Sequence, residues 1–258
     1  MSKIVSIHSF RGGTGKSNVT ANLATMLAQA GKRVGVVDTD IQSPGIHVIF
    51  GLDEEKMDLA LNDYLWGKCA IEKAAYDVSP ATQVGPGSVT LMGGGVYLIP
   101  SSIKAGEIAK VLREGYDVGL LNDGFRELIS RLSLDFLLID THPGLNEETL
   151  LSIAISDALL ILMRPDQQDY QGTAVTVEVG QKLDVPWLRL IVNKALPSFD
   201  FGALKKRVEE TYGVPVVAVL PECEEMIRLG SSSVFCLQYP DHPVTHSLRE
   251  VAAQLLAQ

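Results

Sequence analysis

The ten residues SFRGGTGKSN, at positions 9–18, follow the short apolar segment KIVSIH at 3–8 and precede a segment with helical periodicity. A strand, a glycine-rich turn and a helix in this order direct backbone N–H groups and the positive end of a helix toward an anion. In such a loop Lys16 reaches the β- and γ-phosphates of a nucleotide, and the Ser17 hydroxyl ligates Mg²⁺. The stretch therefore predicts an α/β fold with a phosphate-binding loop. A glycine-rich turn without a ligand is the alternative.

The loop departs from the two common nucleotide-binding patterns. In G-x-x-x-x-G-K-[ST], counting back from Gly15 puts Phe10 where the first glycine belongs. In the dinucleotide pattern G-x-G-x-x-G, Gly13 and Gly15 are followed by Asn18 in place of the third glycine. A cation, Arg11, stands immediately before the double glycine. Any assignment of this loop has to account for that arginine.

Length and composition are those of an ordinary globular protein. Of the 258 residues, 46% are apolar and 21% are charged, which is enough apolar material for a sizeable core. The formal net charge of −9, from 31 acidic and 22 basic residues, argues against attraction of the whole surface to DNA or anionic lipid and leaves a local basic patch open. The three cysteines, Cys69, Cys223 and Cys236, form no C-x-x-C pair. This favours reduced thiols over a disulfide or a metal site.

Two features predict a cytoplasmic protein. The N-terminus carries no apolar stretch of the signal-peptide type. The most apolar run, LLSIAISDALLILM at 150–163, is too short to span a bilayer and contains Asp157.

Short apolar runs alternate with segments of helical periodicity, which is the pattern of a mostly parallel, twisted sheet with helices on both faces. The predicted strands are 3–8, 33–38, 134–140, 158–163, 188–193 and 214–220. The predicted helices are 17–30, closed by Gly31, and 146–155, 169–182, 200–212 and 244–257. Within 169–182 the run AVTVEV also alternates as a strand does. No shift in composition marks a boundary, so residues 1–258 are predicted to form a single domain.

Residues 77–100 interrupt this alternation. The segment DVSPATQVGPGSVTLMGGGVYLIP is rich in glycine and proline, which is typical of irregular connections. It predicts a loop together with a hairpin that turns at Gly93–Gly95.

The segment RGGTGKS at 11–17 resembles the deviant Walker A loop, [KR]-G-G-x-G-K-[ST], of the ParA/MinD family of P-loop ATPases. Four further segments resemble family motifs in the same order: VGVVDTDIQSPG at 34–45, DFLLIDTHPG at 135–144 (Walker B and switch II), VNK at 192–194 and AVLPECEEM at 218–226 (the adenine loop). The resemblance implies a P-loop NTPase fold, ATP and Mg²⁺ as cofactors, slow ATP hydrolysis and an ATP-dependent homodimer.

The resemblance also implies roles for individual residues. The residues expected to hold the nucleotide are Gly12, Gly13, Thr14, Gly15, Lys16, Ser17 and Asn18 at the phosphates, with Asn193, Pro221 and Glu222 at the base. The expected magnesium ligands, direct or through water, are Ser17, Asp38 and Asp140. The expected catalytic residues are Lys16, Asp40 and Arg11, with Asp40 orienting or deprotonating the attacking water. The N–H of Gly144 is expected to sense the γ-phosphate. The alternatives are a loop cap for Asp38, a strand-end cap for Asn193 and a plain turn at 221–222.

Arg11 occupies the position of the family's signature lysine, which contacts the nucleotide of the partner subunit. An arginine keeps the charge and adds a planar fork suited to phosphate oxygens, so Arg11 is a candidate arginine finger in trans. Two alternatives stay open: Arg11 weakens hydrolysis, or it only pairs with a nearby carboxylate. His142 in switch II is interpreted as a solvated neighbour of the phosphates rather than a titrating group. Arg164, where relatives usually carry a small polar residue, has no role assigned from the sequence.

The parts of the chain outside the loop bear on what the ATPase acts on. The C-terminal helix has one basic residue, Arg249, which favours docking on the domain's own core over membrane anchoring. The segment LKKRVEE at 204–210 is interpreted as a solvated helix face rather than a DNA-binding patch. Cysteines in the pairing needed to carry a metal cluster are absent from the sequence.

Two functions remain from the sequence. The first is an ATPase that positions or partitions a cargo, a division site or a polar structure, with a protein partner that stimulates hydrolysis. The alternative is an ATP-dependent regulatory or assembly factor that binds a protein client without spatial patterning. An ATP-dependent ligase or phosphotransferase is disfavoured, because the chain has no length to spare for a substrate region.

Overall fold

A computed structural model describes residues 2–258, which contain one eight-stranded sheet. The strands are β1 (Lys3–His8), β2 (Arg33–Asp38), β3 (Tyr76–Asp77), β4 (Gly95–Ile99), β5 (Phe136–Asp140), β6 (Ala158–Met163), β7 (Trp187–Ala195) and β8 (Val216–Pro221). Their order in the sheet is β3-β4-β2-β5-β1-β6-β7-β8. All neighbouring strands are parallel except β3 and β4, which are antiparallel. The predicted mostly parallel sheet is confirmed.

Helices cover both faces of this sheet. The α-helices are α1 (Lys16–Gln29), α2 (Ile46–Ile49), α3 (Leu61–Leu65), α4 (Ala105–Glu114), α5 (Gly119–Arg131), α6 (Glu147–Ala154), α7 (Gln167–Lys182), α8 (Phe201–Tyr212), α9 (Glu224–Leu229), α10 (Phe235–Gln238) and α11 (Pro243–Leu256). Short 3₁₀ turns occupy Glu54–Lys56, Ile71–Ala74 and Ser79–Gln83. The helices that follow β1, β5, β6 and β7 were predicted from the sequence, as was the C-terminal one.

Alternate strand residues face opposite sides of the sheet, so each central strand supplies two cores. In β5, Phe136 and Leu138 join the core under α1 and α11, whereas Leu137 and Ile139 join the core under α5. β6 divides its residues in the same way between the α1 side and a third core formed with α7 and α8. Because both faces are covered, these strands appear in the sequence as continuous apolar runs.

The first helix carries the phosphate-binding loop at its start and is held by the core along its length. Val19, Leu23 and Leu27 are buried on the face that meets the sheet. Gly31, with φ of +82°, donates its N–H to the carbonyl of Ala28 at 2.9 Å and ends the helix as predicted. The position of Lys16 is therefore set by a rigid element.

The C-terminal helix α11 docks on the domain's own core. Val244, Leu248, Val251 and Leu255 are all buried in the cluster that includes α1 and β8. This agrees with the interpretation of α11 as a docking helix. Among residues 2–258, no helix is both long and apolar enough to cross a membrane.

The predicted hairpin at Gly93–Gly95 is wrong. β3 and β4 pair antiparallel, but residues 78–94 connect them, and Gly95 is the first residue of β4. The glycines serve a close approach instead of a tight turn. A Cβ on Gly94 would collide with the carbonyl oxygen of Ala28, and the N–H of Gly95 donates to Lys32 O at 3.0 Å. The loop part of the prediction agrees with the structure.

Candidate functional site

A cavity of about 580 Å³ lies at the carboxyl ends of β1, β2, β5, β7 and β8. Ligands of open α/β sheets bind at this edge. The predicted site residues that line the cavity are Gly12, Gly13, Gly15, Lys16, Ser17, Asn18, Asp40, Asn193, Pro221 and Glu222. Thr14, Asp38 and Asp140 are buried near these residues without lining the cavity, and Arg11 lies outside it. The fold therefore brings five distant segments of the sequence to one place.

The backbone of the loop explains its glycines. Gly13 and Gly15 adopt φ of +77° and +99°, a region that favours glycine. A Cβ on Gly15 would also collide with the side-chain amide of Asn193. That amide donates a hydrogen bond to the carbonyl of Thr14 at 2.7 Å. Asn193 thus fixes the loop, and its Oδ1 accepts the N–H of Lys194 at 2.9 Å. Its predicted contact with the base stays a prediction.

The N-terminus of α1 is open to an anion. No side chain caps it, and its first turn contains no acidic residue. By contrast α6, α7 and α8 are capped by Asn146, Asp166 and Asp200. The first N–H groups of a helix lack intrahelical partners and carry partial positive charge. The open end of α1 therefore fits a phosphate group.

Lys16 is buried among three carboxylates. Its side chain donates to Ser9 Oγ at 3.3 Å, and burial lowers its pKa while Asp140, Asp40 and Asp38 oppose that shift. Burial raises the pKa of Asp140 to about 6, against a hydrogen bond from Ser17 and the charge of Lys16. Burial and the nearby Asp140 raise the pKa of Asp38 well above its ordinary value. The site therefore holds more negative charge than one lysine neutralises.

This shortage of positive charge fits a divalent cation. Asp38 and Asp140 end neighbouring strands as partners in register, and both are almost fully buried. Ser17 lines the cavity beside them, and the hydroxyl of Thr20 donates to Asp140 Oδ1 at 3.4 Å. Carboxylate and hydroxyl oxygens are ligands that Mg²⁺ accepts, directly or through its waters. Asp38 also caps the following loop, which was the alternative stated from the sequence: its two oxygens accept the N–H groups of Asp40 and Gly45 at 3.0 and 3.2 Å. The magnesium role of Ser17, Asp38 and Asp140 stays a prediction.

Without an ion, the buried charge of Asp140 should destabilise the fold, so we expect Asp140→Asn to stabilise the nucleotide-free protein. The expected gain at pH 7.5 is on the order of 2 kcal/mol in the free energy of unfolding. Because the folded pKa of about 6 lies above the ordinary value of 3.8, the ionised form is disfavoured in the folded state. The gain should therefore shrink as the pH falls through that interval.

Chemical denaturation at several pH values, without Mg²⁺, measures this effect. Asp123→Asn, a change on the exposed side of α5, is the matched control and should show no gain. A lower stability of Asp140→Asn at pH 7.5 would contradict the charge imbalance.

Asp40 is partly exposed at the cavity wall. The side chain of Asp40 is 18% exposed, and its Oδ1 lies 3.8 Å from Nε2 of His142. Burial raises the pKa of Asp40, while His142 and Lys16 act in the opposite direction. His142 is only 21% exposed and lies 3.4 Å from the amide of Asn146, so it is less solvated than the sequence suggested. Asp40 and His142 can therefore hydrogen-bond a polar group that lies beside the phosphate-binding loop.

Comparisons with known proteins identify the fold and the loop together. Residues 5–234 match the CobQ/CobB/MinD/ParA nucleotide binding domain. The chain belongs to this family. An ATP-binding protein of Methanocaldococcus jannaschii is 30% identical over 259 residues, which cover 99% of this chain and 88% of that protein. An iron-sulfur cluster carrier protein of Pyrococcus horikoshii is 25% identical and covers 98% of this chain and 85% of its own length.

A solved structure has the same fold. The septum site-determining protein MinD of Pyrococcus horikoshii, in complex with Mg-ADP, superposes with a TM-score of 0.81 at 24% identity, over 100% of this chain and 98% of that one. The α/β P-loop fold expected from the resemblance is confirmed.

The position at which the resemblance places the family's signature cation lies beside two carboxylates. Nη1 of Arg11 lies 3.7 Å from Oδ1 of Asp169 and 3.9 Å from Oδ1 of Asp166. Arg164, which had no role from the sequence, bonds the same two carboxylates. In this structure Arg11 therefore pairs with carboxylates of its own chain, which is one of the alternatives stated from the sequence.

Switch II contacts the loop through its backbone and through a histidine that the sequence analysis missed. The N–H of Gly144, expected to sense the γ-phosphate, donates to Ser9 O at 3.2 Å. His8, at the end of β1, is fully buried, and its Nδ1 lies 2.7 Å from Oγ1 of Thr141. Burial, and then the charge of Lys16, lower the pKa of His8 to about 3. A neutral His8 thus joins the start of the loop to switch II.

The wall of the cavity at residues 221–222, where the base is expected, contains several apolar side chains. Glu222 donates its N–H to Ala195 O at 2.8 Å and follows Pro221, the last residue of β8. Residues of α9 and α11 that the sequence analysis missed complete this wall: Met226, Ile227, Val244 and Leu248. An apolar wall with a few polar groups suits the planar ring of a base.

Next to this wall, one sulfur, one carboxylate oxygen and one imidazole nitrogen, from Cys223, Glu225 and His242, lie within 4.8 Å of one another. Nδ1 of His242 accepts the N–H of Val244 at 3.1 Å, which places the ring proton on Nε2. Nε2 faces Glu225 Oε2 at 3.7 Å. This tautomer leaves the imidazole no free lone pair for an ion.

Proposed function

We propose that this protein is an ATP-binding, slowly hydrolysing switch that forms an ATP-dependent homodimer. In this proposal it acts in the cytoplasm, as a single domain, to position or partition a cargo, a division site or a polar structure. The observation that carries the proposal is the location of Arg11. It stands next to the double glycine, 39% exposed, and yet does not line its own cavity. A second copy facing this surface would receive that cation at its phosphates.

The residues of the cavity divide the nucleotide chemistry among them. The N–H groups of the loop and the end of α1 bind the phosphates, and Lys16 balances their charge. Ser17, Asp38 and Asp140 would hold Mg²⁺, which supplies positive charge at the phosphate oxygens. Asp40 orients the attacking water or accepts its proton, and His142, 3.8 Å away, helps fix the carboxylate. Asn193, Pro221 and Glu222 border the base.

The names of the relatives leave room for a second function. A septum site-determining protein supports positioning, whereas an iron-sulfur cluster carrier supports assembly work on a protein client. The chain's three cysteines include no C-x-x-C pair that could carry such a cluster itself. If the second function holds, the protein is an ATP-dependent regulatory or assembly factor that binds a client.

Non-specific DNA binding is not favoured by the basic segment of α8. Lys206 pairs with Glu210 at 3.8 Å, and Arg207 lies over the ring of Tyr170 at 5.5 Å.

DNA binding in the presence of ATP, measured at low salt, separates the two functions. The positioning function predicts ATP-dependent binding to DNA or to another surface, and a client-binding factor predicts neither. In both, a protein partner is expected to stimulate hydrolysis.

We expect Arg11→Ala to prevent ATP-dependent dimerisation, because the cation that reaches the other subunit's phosphates is lost. The solution mass in Mg-ADP and in Mg-ATP measures this. ATP should double the mass of the wild type and leave Arg11→Ala at the monomer mass. Arg113→Ala, which removes an exposed arginine of α4, is the control. If ATP doubles the mass of Arg11→Ala as it does that of the wild type, Arg11 has no role in trans. If ATP does not double the mass of the wild type, the proposed dimer is rejected.

A further inference from the structure

Two arginines share one buried carboxylate beside the phosphate-binding loop. The side chain of Asp169 is 2% exposed. The Arg164 backbone N–H donates to its Oδ2 at 2.8 Å, and the guanidinium donates from Nε at 3.2 Å and from Nη2 to Oδ1 at 3.3 Å. Arg11 approaches the same Oδ1 to 3.7 Å. These residues, with Asp166, form a group that we name the arginine pair site.

Arg164 alone neutralises the charge of Asp169 and donates hydrogen bonds to both of its carboxylate oxygens. A buried carboxylate is costly unless it is paired and hydrogen-bonded, and Arg164 provides both through three donors. The same guanidinium lies 3.3 Å from Asp166, which caps α7. Asp169 therefore keeps a counter-ion when Arg11 moves.

Arg11 is held loosely by comparison. Its nearest carboxylate oxygens are 3.7 and 3.9 Å away, which is ion-pair distance without a hydrogen bond, and its side chain is 39% exposed. Partly exposed ion pairs of this kind contribute little to the free energy of folding, so Arg11 can leave its carboxylates at little cost.

The backbone beside Arg11 is fixed, so only its side chain has to move. A Cβ on Gly172 of α7 would collide with the ring of Phe10. Phe10, which replaces the first glycine of the standard motif, therefore packs on the helix that carries Asp169. This contact keeps the backbone of Arg11 close to Asp169.

We propose that Arg164 is a positioning residue for Arg11. By taking the charge of Asp169, it leaves Arg11 on a weak ion pair from which the guanidinium can leave. Without Arg164, Arg11 becomes the counter-ion of Asp169 and is retained on its own chain. The link to activity rests on the proposed dimer; the retention of Arg11 does not.

The retention is tested on the full-length, nucleotide-free protein by the rate at which phenylglyoxal modifies Arg11, followed by peptide mass spectrometry. In Arg164→Gln the rate should fall about threefold, as expected for a change from a weak to a closer ion pair. In Arg164→Gln/Asp169→Asn it should return at least to the wild-type rate. Arg113, 74% exposed, is the internal reference. An unchanged Arg11 rate in folded Arg164→Gln overturns the proposal.

Single Asp169→Asn covers the case in which Arg164→Gln does not fold. Arg164 acts on Arg11 through the shared carboxylate, so the Arg11 rates of Asp169→Asn and of Arg164→Gln/Asp169→Asn should be equal, and a slower rate in the double variant overturns the proposal. Affinity for Mg-ADP serves as the folding control, because Arg164 does not line the cavity.

The solution mass in Mg-ATP tests the link to dimerisation. Arg164→Gln should need about threefold more protein for half-dimerisation, the double variant should reverse this, and in an Arg11→Ala background Arg164→Gln should add nothing. If the Arg11 modification rate falls in Arg164→Gln but the wild type never dimerises in Mg-ATP, the proposed function is rejected and the positioning role of Arg164 stands. If the wild type dimerises and the Arg11 rate is unchanged in Arg164→Gln, the positioning role of Arg164 is rejected and the proposed function stands.

Discussion

Lys16→Ala should lower the affinity for Mg-ATP by about 30-fold or more. Lys16 is buried at the base of the loop, and its ammonium is the cation that Asp38, Asp40 and Asp140 share. Its removal leaves those carboxylates to repel the incoming phosphates. It also removes the buried cation that lies beside the end of α1. Both effects act in the same direction, so the loss should be large.

Equilibrium titration of a fluorescent ATP analogue with Mg²⁺ measures this loss. Lys206→Ala is the matched control, because that lysine is 78% exposed on α8 and should leave the affinity unchanged. Retained affinity in Lys16→Ala would overturn the assignment of the cavity as the nucleotide site.

Asp40→Ala should slow ATP hydrolysis about 100- to 10,000-fold, the range expected for loss of a general base. Nucleotide binding should persist, because Asp40 lies at the cavity wall and none of the loop contacts depends on it. Its removal also takes one negative charge from the surroundings of Lys16. The variant should therefore accumulate as the ATP-bound dimer.

Single-turnover phosphate release, together with the solution mass over several hours in Mg-ATP, tests both parts. Asp53→Ala, which removes an exposed aspartate paired with Lys56, is the control and should behave as the wild type. If Asp40→Ala hydrolyses ATP at the wild-type rate, another group activates the water, and His142 becomes the first candidate.

Most of the sheet could be predicted from the sequence, because its central strands are buried on both faces. The strands 33–38 and 158–163 were predicted with their observed bounds. α4 and α5 were missed for different reasons. α4 has helical apolar spacing at Ile108, Val111 and Leu112 that the sequence reasoning did not use, and none of its residues is fully buried. In α5, Leu121, Phe125 and Leu128 are buried with helical spacing, but Gly119 and Gly124 resemble breaks in a helix.

The convergence of the loop residues on one cavity was predictable, and the surroundings of Arg11 were not. Motif spacing alone places glycine, lysine and serine around an anion, because the loop is a local structure. The contact of Arg11 with Asp169 depends instead on β1 and β6 being neighbours in the sheet. No local pattern encodes that pairing. The apolar wall from α9 and α11 was missed for the same reason.

The cavity joins segments that lie far apart in the sequence, and this has a consequence for the stability of the fold. The phosphate-binding loop and Leu248 of α11 line the same cavity, although most of the chain separates them. Bringing such distant segments together costs chain entropy. A nucleotide that contacts both walls would act as a non-covalent cross-link between them and add its binding free energy to the stability of the whole sheet.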